Sequence, residues 1–122
     1  MAPKYLSTEE KVRQKLSQQV GKTLLKRKIS ISTDAKHEFD GVSQDEEILV
    51  EIKASGIPGK GEIRHTQLAE MCEACLLLLS VKNGRRRILA LSNQDFYKKF
   101  ANTMQAEAAR SLGVEILLVV VE

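Results

Sequence analysis

The chain has 122 residues, 43% of them hydrophobic and 29% charged, the mixture of one compact domain spanning residues 1–122. Its longest apolar runs, Ala74 to Leu79 and Ile116 to Val121, fall far short of the ~20 residues that cross a bilayer. No cleavable apolar leader precedes the charged amino terminus, so a soluble, cytoplasmic protein without a membrane role is expected. The net charge of +3 hides a segregation: residues 1–28 hold eight Lys or Arg against Glu9 and Glu10, whereas residues 34–51 hold seven acids against Lys36 alone.

Ser7-Thr8-Glu9-Glu10 is a capping box, with Ser7 as N-cap and Glu10 three residues on, and Val12, Leu16 and Val20 then recur at helical spacing. A first helix is expected from about Thr8. A β-like run follows at Lys28 to Ser32, then two further strands, His37 to Val42 and Ile48 to Lys53. After a Gly- and Pro-containing loop, Leu68, Met71, Cys72, Cys75, Leu76 and Leu79 form one helical stripe that Asn83-Gly84 ends. Arg87 to Leu91 reads as a strand, Ser92 as the cap of a third helix reaching about Ser111, and Val114 to Val121 as a strand apolar but for Glu115. The order is α-β-β-β-α-β-α-β. An α/β mixed sheet flanked by helices is implied, with an antiparallel hairpin first and the last two strands parallel. No repeat or linker divides the chain.

The hairpin carries the chemistry. Along Ile48 to Lys53 alternate side chains share a face, so Ile48, Val50 and Ile52 form an apolar row while Glu51 and Lys53 project together. A four-residue turn at Ser43 to Glu46 sets Val42 opposite Glu47 and Asp40 opposite Leu49, making Asp40 a diagonal neighbour of Glu51. Diagonal positions lie roughly 7–8 Å apart at the backbone, near enough for two carboxylates to lean onto one ion with oxygens about 2.1 Å from magnesium. Without a cation, two carboxylates about 4 Å apart repel by about 4 kcal/mol at an effective dielectric near 20, and Lys53 offsets this only in part. Glu38, on the same hairpin, is a possible accessory acid.

Cys72 and Cys75 invite a metal or redox reading, but no further cysteine completes a tetrahedral site, and both fall inside the helix rather than at its start. They read as buried and inert. His37 and His65 lack ligand spacing and read as packing or solvent-facing side chains.

A helix bearing an acid, an Asp at the end of one strand and Glu-x-Lys on the next resembles the PD-(D/E)xK nuclease superfamily. His37-Glu38-Phe39-Asp40-Gly41-Val42 with Ile48-Leu49-Val50-Glu51-Ile52-Lys53 is similar to the motif region of small archaeal-type Holliday junction resolvases and other restriction-endonuclease-like proteins. Phe39 stands where the family's proline would be. The resemblance implies a restriction-endonuclease-like core that cuts DNA, duplex or branched, using Mg2+ or Mn2+ and no small-molecule cofactor. It implies Asp40 and Glu51 as metal ligands, Lys53 as the partner of the attacking water, and a helix glutamate as an accessory ligand. Glu9 takes that place, on the inward stripe with Val12 and Leu16, because Glu10 caps the helix. Gln67, early on the second helix, is a further accessory candidate. For Lys53 to act as a base near pH 7, its pKa would have to fall by about three units, about 4 kcal/mol, against carboxylates that push it upward. A protonated Lys53 that orients water is the expectation.

Lys22, Lys26, Arg27, Lys28, Lys60 and Arg64, with the Arg85-Arg86-Arg87 triplet, are candidates for a phosphate-binding rim around the acids. Few aromatics interleave with them, which favours duplex over single strands. A homodimer joined through the last strand or the third helix is expected of so small an enzyme that cuts two strands. A catalytically inactive nuclease-fold module that binds nucleic acid or serves in assembly is the alternative.

Overall fold

The computed structural model describes residues 5–57, 61–82 and 85–121. Its elements in chain order are α1 (Thr8–Val20), β1 (Leu24–Ser30), β2 (Lys36–Ser43), β3 (Ile48–Lys53), α2 (His65–Ser80), β4 (Arg86–Leu91), α3 (Gln94–Ala101), α4 (Met104–Ser111) and β5 (Val114–Leu118). The strands form one sheet in the order β1-β2-β3-β4-β5. The first three pair antiparallel, and β3-β4 and β4-β5 pair parallel. The mixed sheet and its parallel half therefore match the sequence pattern. None of the described helices is long and apolar enough to cross a membrane.

The capping box forms as expected: the Glu10 N–H donates to Ser7 Oγ at 3.1 Å, and the Ser7 N–H donates to Glu10 Oε1 at 3.3 Å. Gly21 closes α1 in the left-handed conformation, φ 74°, where a glycine carries no Cβ penalty. Val12 and Leu16 of α1 then pack on Leu24, Val50, Ile52 and Ile88 on one side of the sheet. The other side is covered by α2, α3 and α4, whose Met71, Leu78, Phe96 and Phe100 enclose Phe39 and Leu89. Side chains of this size, wholly buried, contribute about 1.5–3 kcal/mol each.

Several sequence expectations change. The third helix is two: Asn93, not Ser92, caps α3, and Thr103 caps α4 by accepting from the Ala106 N–H, so the order gains an element, α-β-β-β-α-β-α-α-β. The first strand is Leu24–Ser30 rather than 28–32, and the last stops at Leu118. On α2 the buried stripe is Met71, Ala74, Cys75 and Leu78. Leu76 lies 70% exposed and Cys72 is exposed. The stripe is rotated by about one position: residues 74–79 are apolar all round, so packing against the sheet and not periodicity sets which of them face inward. The expected stop at Asn83-Gly84 lies outside the described residues.

The hairpin turn is tied by side chains. Asp45 Oδ1 accepts from Ser43 Oγ at 2.6 Å and from the Glu47 N–H at 3.1 Å, and Ser43 Oγ accepts from the Ile48 N–H at 3.0 Å. The loop is thus 44–47, one residue later than expected. Val42 pairs with Leu49 and Gly41 with Val50, a register that, continued, sets Asp40 directly opposite Glu51 instead of diagonal to it. The slip is an even one, so the inward and outward faces of β3 are those expected.

Candidate functional site

A β-bulge shapes the site. Leu25 pairs with Val42 and Arg27 with Phe39, so between them a single β1 residue, Lys26, faces two residues of β2, Asp40 and Gly41. Phe39 and Val42 consequently both face the α2 side. Gly41 turns to the α1 side, where an added Cβ would stand 3.3 Å from the Cβ atoms of both Leu24 and Val50. A side chain here would press the neighbouring strands apart by a few tenths of an ångström. Regular pairing of β2 with β3 is confined to Gly41 and Val42, and in the gap beyond it the Asp40 side chain takes the place of a ladder bond: its Oδ2 accepts from the Ile52 N–H at 2.8 Å.

Strand alternation alone was expected to put the two acids on one face; the shifted register sets them opposite one another across this gap, near enough for the Asp40 charge to act on Glu51. Glu51 is 4% exposed. Its Oε1 lies 3.0 Å from Nε2 of His37, whose ring stands edge-on to Phe39 with centroids 4.7 Å apart. Burial pushes the Glu51 carboxyl above the usual range and the neighbouring Asp40 charge pushes it further, against the pull of His37 and Lys53. Asp40 is raised as well, by burial first and by Glu9, against the Ile52 hydrogen bond and the charges of Lys53 and Lys26. Two carboxylates are therefore held where ionising both is costly.

Oδ2 of Asp40 and Oε1 of Glu51 carry hydrogen bonds, while Oδ1 and Oε2 accept none from the described residues. This donor set suits a hard cation: magnesium is commonly held by one or two carboxylates and completes its shell with water and phosphate oxygens. Among the described residues no group of three or more His, Cys, Asp or Glu side chains is placed to hold a metal ion, so the acids form a pair and not a triad.

Glu9, expected as the accessory ligand, is near Asp40 but committed elsewhere. Its Oε2 lies 3.0 Å from Arg13 Nη1 and 3.1 Å from Lys26 Nζ. Partial burial raises its carboxyl, and the bonds and charges of those two cations outweigh that and lower it. Arg13 Nη1 also donates to the Asp40 carbonyl at 3.2 Å, fastening α1 to the bulge. Gln67 spends both ends of its amide on structure, accepting from the Arg64 N–H at 3.0 Å and donating to the Gly56 carbonyl at 2.9 Å, which ties the loop after β3 to the start of α2. Glu38 is exposed.

Arg13 is a site residue that sequence reasoning did not single out, and His37, read as a packing or solvent-facing side chain close to the acids, holds Glu51 instead. For His37 the available signal was its position three residues before Asp40 on the same strand. For Arg13 it was its i+4 spacing from Glu9.

The expected basic rim divides. Lys22 is paired with Asp45, Lys26 with Glu9 and Arg27 with Glu46, whereas Lys28 and Arg64 are exposed and Lys60 lies outside the described residues. The arginine triplet does not surround the acids. Arg86 and Arg87 lie opposite Ile48 and Leu49, at the start of β3, and serve the fold. Arg86 grips Glu115 with two bonds of 2.6 and 3.0 Å. Arg87 donates to the Leu78 and Val81 carbonyls at 2.9 and 2.6 Å, capping α2. Arg85 donates to the Glu46 and Lys82 carbonyls.

Comparison of the chain with protein-family models, with curated proteins and with solved structures returns no match. Fold and site together describe an α/β domain with a buried and a half-buried acid at a bulged strand.

Proposed function

We propose that the protein is a metal-dependent endonuclease of the PD-(D/E)xK type, acting on duplex or branched DNA with Asp40 and Glu51 holding Mg2+ or Mn2+. The observation that carries this reading is the acid pair itself: two carboxylates, one almost fully buried, both with raised pKa, across a gap that the bulge of β2 opens. A structure with no use for a cation gains nothing from such a pair, since either acid replaced by an amide would remove the repulsion.

A bound divalent ion supplies a water of lowered pKa and draws off charge from the phosphate. The chain's own groups do the rest. Asp40, fixed by the Ile52 N–H, and Glu51, fixed by His37, present their remaining oxygens. Lys53, on the same strand face as Glu51, offers an ammonium to the attacking water and to the charge that grows on the phosphate oxygens as water adds to phosphorus and the bond to the leaving sugar oxygen breaks. The homodimer that would cut both strands is assigned to β5, the sheet edge away from β1, or to the third-helix region that α3 and α4 now form.

One observation favours the second reading, a nuclease-fold module that binds nucleic acid and cuts nothing. The Glu9 carboxylate is taken by Arg13 and Lys26, which leaves two acids where the resemblance implies three. Incubation of linear duplex, flap, four-way-junction and single-stranded DNA with Mg2+ or Mn2+, beside Glu51→Ala and Lys53→Ala, separates the two. Metal-dependent cutting by the wild type alone supports the nuclease; DNA bound but never cut supports the module.

A further inference from the structure

A groove of about 690 Å³ runs along β1, beside the acid pair and distinct from it. One wall is β1 from Arg27 to Ser30 and its continuation through Thr33, offering backbone and the hydroxyls of Ser30, Ser32 and Thr33; the opposite wall is the end of α2 and the segment after it, at Ser80 and Lys82. Lys28, Lys36 and Lys82 stand on the rim and are exposed. Glu46, the one acid in the lining, is already held by Arg27 at 3.0 Å and faces Arg85 at 4.0 Å.

Pairing separates these lysines from the others. Lys22 and Lys26 each form an ion pair with a carboxylate, whereas Lys28, Lys36 and Lys82 form none among the described residues, although exposed Glu38 stands opposite Lys28 across the strands. Cations left without partners around a hydroxyl-lined concavity are what a chain of phosphates requires, because each bound phosphate releases condensed counterions and accepts hydrogen bonds from hydroxyl and backbone donors. The groove also leads to the acids. Its lining includes Lys36, the residue before His37. Ile29 in its wall is paired across the strands with His37, which touches Glu51. From β1 to β3 is two strand spacings, about 10 Å.

We propose that this groove is the track for the nucleic-acid backbone, with Lys28, Lys36 and Lys82 as its phosphate contacts, and that Lys22 and Lys26 are structural. The proposal rests on the nuclease reading for the kind of polyanion and deepens it by assigning the path the substrate takes.

The test is fluorescence anisotropy of a labelled duplex of about 20 base pairs against wild type, Lys28→Glu/Lys36→Glu/Lys82→Glu, and a control, Lys98→Glu/Lys99→Glu, whose exposed lysines lie on α3, each over a series of salt concentrations. The groove variant is expected to bind roughly 30-fold or more weakly at low salt, with the slope of log K against log salt reduced by about 2.7 for three lost contacts, while the control binds as wild type. Unchanged binding by the groove variant, an equal loss in the control, or no binding of DNA by the wild type overturns the proposal. Cleavage assays on the same proteins keep the two claims apart. Groove-dependent binding without cutting leaves the track standing and removes the nuclease, whereas cutting by a groove variant that binds normally does the reverse.

Discussion

Nε2 of His37 lies 3.0 Å from Oε1 of Glu51, and this contact joins a buried carboxylate of β3 to β2, the strand that carries Asp40. The pair of acids is costly in the metal-free protein because burial disfavours both charges. Folding raises both carboxyl pKa values, so the folded protein holds protons more tightly than the unfolded chain above the ordinary carboxylate range near pH 4. Their contribution to stability is fully present below that range and is lost as pH rises through the raised values. Metal-free wild type should therefore melt higher in mild acid than these groups allow at pH 7. Glu51→Gln, which keeps an acceptor for His37, should raise Tm at pH 7 and flatten this part of the profile. Thermal melts of both proteins from pH 4 to pH 8 in EDTA check it; a Glu51→Gln protein less stable than wild type at pH 7 contradicts the costly pair.

Lys53 is assigned to water and phosphate and not to the metal. Lys53→Met should lower the cleavage rate by on the order of 10²–10³-fold and leave the affinity for Mn2+ within about twofold of wild type. Cutting retained at the wild-type rate would remove the role.

Arg87 closes the carboxyl end of α2 through the Leu78 and Val81 carbonyls. Each bond has a charged donor, worth about 1.5–3 kcal/mol, and the loss exposes carbonyls with no other donor in the helix. Arg87→Ala should cost about 2–3 kcal/mol in urea unfolding while leaving DNA affinity unchanged, since Arg87 is part of the scaffold. A drop in affinity with no change in stability would return it to the phosphate rim.

The two thiols should behave differently although they lie three residues apart. Cys72 is exposed, and Cys75 is buried with its thiol pushed up to about 11 by burial and by Cys72. Native protein should release one equivalent in a thiol-reagent assay at pH 8, from Cys72, and a second only on unfolding. Cys72→Ser should abolish the first.

How far the sequence reached is clear from particular residues. Ser7 and Glu10 announced α1 because both halves of a capping box are local, and the bounds of β3 were legible because Ile48, Val50 and Ile52 alternate without interruption. The bulge was not legible. It exists only in the relation of β2 to β1, and β1 shows two inward residues, Leu24 and Ile29, separated by four exposed ones, with no alternation to fix its start. The stripe of α2 was misplaced because Leu76 to Leu79 is apolar on every side, so periodicity could not choose between Cys72 and Ala74. The arginine triplet reads as a phosphate cluster in one dimension; its use as cap and cross-strand partner depends on α2 and β5, both distant in sequence. By contrast the break between α3 and α4 had a signal, Thr103, an N-cap residue in the middle of the expected helix.

The most direct measurement is a titration of the protein with Mn2+ followed by electron paramagnetic resonance, on wild type, Asp40→Asn and Glu51→Gln. The account predicts one bound ion in the wild type, displaced by Mg2+, and its loss in both variants. Binding that is absent from the wild type, or unchanged in Asp40→Asn and Glu51→Gln alike, contradicts it.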